Sequence, residues 1–204
     1  MAQPAVFYLP MNRVMKRISS LLVVCLGIVH YPLPAASDAP PKIDIPEMER
    51  QIHRLINQER QNHGLTPLAW DEQLTRIARN HSLDMASHRY FSHTNLQGED
   101  AAVRGKNLGW NKKKRIGPTT WLTGLAENIF LNHLYDKMVK TVRNGVIVNM
   151  EYAWNHPDKI ALSTVQGWMG SPPHRKNILS PLYDRQGIGI AIRESEVLIT
   201  QDLF

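Results

Sequence analysis

Apolar residues first fall into helical spacing at Met48, Ile52, Leu55 and Ile56, the three-to-four-residue recurrence of a helix that buries one face. Pro46 suits the first helical position, where a missing N–H costs nothing. Glu47 and Glu49 complement the positive end of the helix dipole, and Gly64 closes the segment. A second helix is predicted from Asp71 as N-cap through Leu74, Ile77, Ala78 and Met85 to about Ser87, with His81 on its apolar side. Residues 98–108 carry a weaker helical spacing, and Lys112–Arg115 reads as a solvated basic loop. From Lys137 to Asn149 the pattern changes to alternation and β-branching around Asn144-Gly145, two residues that accept positive φ, which predicts a hairpin. Helical spacing returns over residues 158–170 through Ile160, Thr164, Val165 and Trp168, with Gly170 and Pro172-Pro173 as the stop. The last pattern is a strand pair, 187–192 and 197–201, around the polar turn Arg193–Glu196.

Helices and strands therefore come in mixed order, without the regular βαβ alternation of a parallel sheet. That predicts a layered α+β domain. No internal repeat is visible. Ahead of the first helix, residues 38–45 contain Pro40-Pro41 and read as an extended linker, because proline fixes φ and removes a donor.

The first 37 residues have a different character. Arg13, Lys16 and Arg17 precede an apolar run from Ile18 to Val29, followed by Pro32, Pro34 and the small residues Ala35-Ala36-Ser37. This is the layout of a secretory signal peptide, with Met11 as an alternative start. The apolar run is shorter than the roughly 20 residues that span a bilayer, so no stable membrane span is expected once the signal is cleaved. Cys25 lies inside this run after Leu22-Val23-Val24, a poor context for lipoprotein processing. The predicted organisation is a signal peptide over 1–37, a linker and helix start over 38–49, and one domain over 50–204, in a secreted or periplasmic protein.

Composition changes its meaning once the leader is set aside. The 204-residue chain has a formal charge of +6 and one cysteine. Three of the basic residues and the cysteine sit in the leader, so the exported part is cysteine-free with half the formal charge. Disulfide scaffolds and Cys-ligated zinc are excluded, and the remaining charge is too small to argue for nucleic acid. Nothing in the pattern specifies an oligomer.

Three segments concentrate polar groups of catalytic or ligand type: Tyr90-Phe-Ser-His93-Thr-Asn95, Ala126-Glu127-Asn128-Ile129, and Gly167-Trp168 through His174 to Leu179. Two imidazoles and a carboxylate suit a divalent metal such as Zn²⁺, with a position left open for water or ligand. The same three groups also suit a hydrogen-bonded network that stabilises the fold, and the spacing of His93 and His174 does not decide between them. No Gly-x-Ser-x-Gly elbow is present, so Ser171 beside His174 is a weak nucleophile candidate. Asn128 and Asn177 read as backbone-bonding groups beside the cleft, Trp168 as core, and His81 as a satisfied core histidine.

Together with Leu55–Arg60, Leu65–Trp70, Met85 and Gly187-Ile-Gly189, these segments resemble the CAP superfamily, or SCP domain, of cysteine-rich secretory, antigen 5 and pathogenesis-related proteins. The resemblance runs from about residue 50 to 202 and is closest to secreted prokaryotic members. It implies a three-layer α-β-α sandwich on a small, mostly antiparallel sheet, with a cleft formed by His93, His174 and Glu127. Larger members place a second Glu where this chain has Ser171, which puts any role needing two carboxylates in doubt. The stretch from Asn132 to Lys159 is longer than in compact relatives. The resemblance implies an extracellular binding module without enzymatic activity, its cleft taking a metal ion or a small apolar or lipid ligand. The alternatives are a zinc-assisted hydrolase or peptidase with Glu127 as ligand or general base, and an envelope interaction domain whose cleft is purely structural.

Overall fold

Side-chain caps set the two long helices. The Asp44 carboxylate accepts from the Glu47 N–H at 3.1 Å and opens α1 (Ile45–Asn62), whose buried stripe is Met48, Ile52 and Ile56. After the two-residue strand β1 (Ala69–Trp70), Asp71 accepts from the N–H groups of Gln73 and Leu74 and opens α2 (Glu72–His88). This second helix ends at Arg89 in the left-handed region. These spans are those of a computed structural model that describes residues 39–204; the predicted leader lies outside them.

Asp100 caps the short helix α3 (Ala101–Asn107), which leads to strands β2 (Lys113–Arg115) and β3 (Trp121–Thr123), paired antiparallel. The basic segment expected to be a solvated loop is thus partly strand. Its cations have partners: Lys112 Nζ lies 4.4 Å above the Trp110 ring and Lys114 Nζ reaches Asp184 at 2.7 Å. Strand β4 (Ala126–His133) runs on through Leu134 into β5 (Tyr135–Arg143), which turns at Asn144-Gly145 and returns as β6 (Val146–Trp154). Both turn residues have positive φ, as the hairpin reading requires.

Helix α4 (Pro157–Gly170) follows, then α5 (Pro172–Ile178), and the chain closes with β7 (Arg185–Arg193) and β8 (Glu196–Leu203). The diproline that sequence reads as a stop is also a start. Pro172 fits the first turn of α5, where no backbone donor is missed.

The central sheet has the order β1-β7-β8-β4, with β1 parallel to β7 and every other pair antiparallel. Helix α2, joined by α3, covers one face; α1, α4 and α5 cover the other. The fold is therefore α+β in three layers. Strand β7 shows how one sequence serves both faces. Ile188 and Ile190 point into the main core with Met48, Ile52, Ile56 and Trp168. Gly187 and Gly189 point at α2, whose backbone lies so close that an added Cβ would stand 2.0 Å from Thr75 N or Arg79 N.

Side chains close the sheet's outer edges. On β4 the carbonyls of Glu127, Ile129 and His133 accept from Asn177 Nδ2, Trp168 Nε1 and Asn155 Nδ2. Beyond the short β1, the Ile190 N–H donates to the fully buried Glu49 carboxylate, which also binds Arg79. Residues Ala36–Phe204 make one compact unit.

Candidate functional site

The three residues singled out in sequence come from three different elements. His93 sits in the loop after α2, Glu127 on β4, and His174 on α5. The fold brings them together: His93 Nδ1 lies 2.8 Å from Glu127 Oε1, and the two imidazole centroids are 6.4 Å apart. The His93 side chain is 53% exposed while Glu127 is 4% exposed, so the carboxylate is the floor of the cleft and His93 its rim.

A carboxylate on that floor needs a counter-charge, and α3 supplies it. Arg104, itself nearly buried, donates from Nη2 to Glu127 Oε2 and from Nη1 to the carbonyls of His93 (2.8 Å) and Glu99 (2.9 Å). One guanidinium thereby ties the His93 loop to β4. Both Glu127 oxygens are engaged, one by His93 and one by Arg104. Among the described residues no three His, Cys, Asp or Glu side chains are placed to hold one metal ion together.

Below the cleft lie two further titratable groups. His81 is fully buried; its Nε2 donates to the Ser92 carbonyl at 2.9 Å, and the ring nitrogen lies 3.9 Å from Glu127 Oε2. Its Nδ1 has no hydrogen-bond partner, so the core histidine expected from sequence is satisfied at one nitrogen only. Burial is the main influence lowering its pKa; Glu127 opposes the shift and Arg104 adds to it. Asp202 pairs with Glu127 across β4 and β8, is buried, and has no partner for either oxygen. Burial holds its carboxyl well above the usual range, Glu127 pushes the same way, and Arg104 opposes. An acid so placed keeps its proton to higher pH than an exposed one.

On the other face, a row of amides supports His174. Asn128 Nδ2 donates to the His174 carbonyl at 3.2 Å and to Gln201 Oε1 at 2.8 Å. Asn177 Nδ2 donates to Asn128 Oδ1 at 2.8 Å, and Gln201 Nε2 to Gln186 Oε1 at 2.6 Å. Gln186 Nε2 in turn reaches His53 Nδ1 at 2.8 Å. Amides carry both donors and acceptors, so they can chain through a sheet interior without a net charge. The His174 pKa is lowered by burial first and by His93 second, and its buried Nδ1 lacks a partner. Ser171 stands between α4 and α5 and makes no capping bond.

A sizeable cavity lies elsewhere. About 650 Å³ opens beside α5 and the loop after it, lined by Met169, Leu179, Leu182 and Tyr183, with Arg175 and Lys176 also contributing. His93, Glu127 and His174 do not line it, although His174 is the residue before Arg175. Arg104, Asp202 and this groove are what sequence reasoning missed. Arg104 sits in the weakest of the helical patterns and Asp202 in a terminal strand, and neither belongs to a recognisable motif.

Among curated proteins the chain is 30% identical over 142 residues to an uncharacterized membrane protein, YlbC, of Bacillus subtilis (strain 168), covering 70% of this chain and 31% of that one. It is 31% identical over 141 residues to the uncharacterized protein YkwD of the same organism, covering 69% and 41%. The chain thus spans less than half the length of these relatives. Among solved structures, an extracellular SCP-domain protein of Bacillus anthracis str. Ames superposes with a TM-score of 0.53 at 23% identity, covering 81% of this chain and 45% of that one. An outer surface protein of Borrelia burgdorferi gives a TM-score of 0.53 at 15% identity, covering 81% and 98%. These two likenesses establish the fold. The model of the cysteine-rich secretory protein family matches residues 53–202, nearly the whole described chain, and the chain belongs to that CAP family.

Proposed function

We propose that this CAP domain is a non-enzymatic binding module working outside the cytoplasm, whose groove beside α5 takes a small amphiphile with an apolar tail and an anionic head. The observation that carries this reading is the groove itself. Its 650 Å³ lies within the roughly 300–1,000 Å³ range of small-molecule sites. Apolar side chains at Met169, Leu179 and Leu182 suit a hydrocarbon tail, and Arg175 and Lys176 suit a carboxylate or phosphate head. The basic-apolar leader pattern and the extracellular and outer-surface descriptions of the two structural relatives support the location. Among the described residues no helix is long and apolar enough to cross a membrane.

Titration with cis-parinaric acid, a fluorescent fatty acid, tests the reading on residues Ala36–Phe204. Saturable binding is expected, weakened at least tenfold by Leu182→Glu, which sets a charge against the apolar tail. Wild-type protein that leaves the fluorescence unchanged, or a variant that binds equally well, refutes the groove as the site.

A metal ion is the second reading, favoured by one observation. The bond from His93 Nδ1 to Glu127 fixes the imidazole and leaves Nε2 facing outward, the arrangement by which carboxylates orient metal-binding histidines. His93 and His174 would hold the ion, and Glu127 would position His93 instead of ligating. Bound zinc supplies Lewis acidity and a more acidic water. The hydrolase version is disfavoured because the Glu127 carboxylate is 4% exposed and each of its oxygens already accepts a hydrogen bond, which leaves little of it open to a water in the cleft. A melting point unmoved by excess Zn²⁺ rejects the metal, since an ion bound only by the folded state must raise stability.

A further inference from the structure

Neither the groove nor the histidine pair draws on β5 and β6. Each strand has nine residues, the pair forms a separate two-stranded sheet, and at about 3.3 Å per residue it extends on the order of 30 Å. Its character changes along that length. At the base, Tyr135, Tyr152 and Trp154 form a ring cluster, Tyr152 and Trp154 stacked at 4.5 Å and Tyr135 5.3 Å from Tyr152. At the tip, Val142, Val146, Ile147 and Val148 are each at least half exposed. The cations there are Lys140 and Arg143, and no acid stands between Lys137 and Asn149. The nearest acids, Asp136 and Glu151, lie toward the base, where Asp136 pairs with Lys159 and Glu151 with Asn149.

We infer that this hairpin docks its tip into an anionic lipid surface. Four β-branched aliphatic side chains gathered at the end of a rigid ribbon are poorly placed in water. Two flanking cations without an acid match the negative potential of anionic headgroups. The same charges argue against a second copy as the occupant. Pairing β5 to β5 of another molecule would bring Lys137, Lys140 and Arg143 against their own equivalents, the arrangement by which edge strands avoid self-association. This contact is a peripheral insertion distinct from the groove, so it stands whether or not the groove binds an amphiphile.

Co-sedimentation of residues Ala36–Phe204 with phosphatidylcholine vesicles, with and without one quarter phosphatidylglycerol, tests the inference; omitting the leader removes a second apolar segment. Binding is expected to the anionic vesicles only. Val142→Ser with Ile147→Ser should weaken it at least tenfold at an unchanged melting point. Lys140→Gln with Arg143→Gln should weaken it about fivefold per charge removed. As residues 39–204 contain no cysteine, Ile147→Cys gives a single labelling site for an environment-sensitive dye. Its emission should shift to the blue on anionic vesicles, a readout that does not depend on a polar tip variant folding. No binding, no dye shift, binding that survives both tip variants, or a dimer that the tip variants dissolve would each overturn the inference, the last in favour of a second copy.

Discussion

Strands β4 and β5 are one continuous run of chain, yet they live under opposite rules. Along β4 both faces are covered by helices, and the outer edge is met by donors from Asn177, Trp168 and Asn155. One residue past Leu134, β5 pairs with β6, and among the described residues no further strand joins either edge of that ribbon. A two-stranded ribbon is marginal in water without packing, and here the packing is the ring cluster at its base. The comparison teaches that stability in this molecule is concentrated where β-structure is covered, and that the hairpin is carried by the domain without supporting it.

The largest test of this contrast is a change on the covered sheet. Gly189→Val puts a side chain where even a Cβ stands 2.0 Å from Arg79 N, so α2 must move; a loss of about 3–5 kcal/mol is expected in urea denaturation. A loss under 1 kcal/mol would show that α2 is not fixed by its contact with β7. Next is Arg104→Ala, which leaves Glu127 buried with a partly exposed imidazole as its remaining partner. A loss of about 3 kcal/mol is expected, as for a buried pair broken on one side.

A smaller effect should follow pH. Asp202 has a raised folded pKa, so its stabilising contribution is complete below the unfolded value near 3.9 and is lost as pH rises toward the folded one. Asp202→Asn is expected to melt close to wild type at about pH 4 and above it at about pH 8, the difference growing as pH rises. His53, His81 and His174 have folded pKa values lowered chiefly by burial, so the unfolded chain takes up their protons first. Stability should therefore also fall as pH drops below about 6.5. A pH-independent Asp202→Asn difference would contradict a raised Asp202 pKa. The smallest effect belongs to the hairpin: Val142→Ser and Ile147→Ser should stay within about 0.5 kcal/mol of wild type.

What sequence revealed follows the same division. Amphipathic spacing and the Asp71 cap placed α2, and Asn144-Gly145 placed the hairpin turn, because each is a local signal. Strand β4 gave no such signal: Glu127 and Asn128 are polar residues buried among helices and Asn132 is half-buried, so neither alternation nor an apolar run betrays a strand. His93, Glu127 and His174 were legible through motifs and do converge. Arg104 and Asp202 were not, since what selects them is the charge of Glu127, reached through tertiary contact from α3 and β8.

The alternation of glycine and isoleucine on β7 bears also on how the chain reaches this state. A slip of β7 by one residue would turn Ile188 and Ile190 toward α2 and leave glycines facing α1. With α2 backbone already at the limit of approach, a sheet slipped by one residue cannot accept that helix. The same glycines that let α2 lie flat on the sheet therefore also hold β7 against a one-residue slip, so register and helix packing are specified by one alternation.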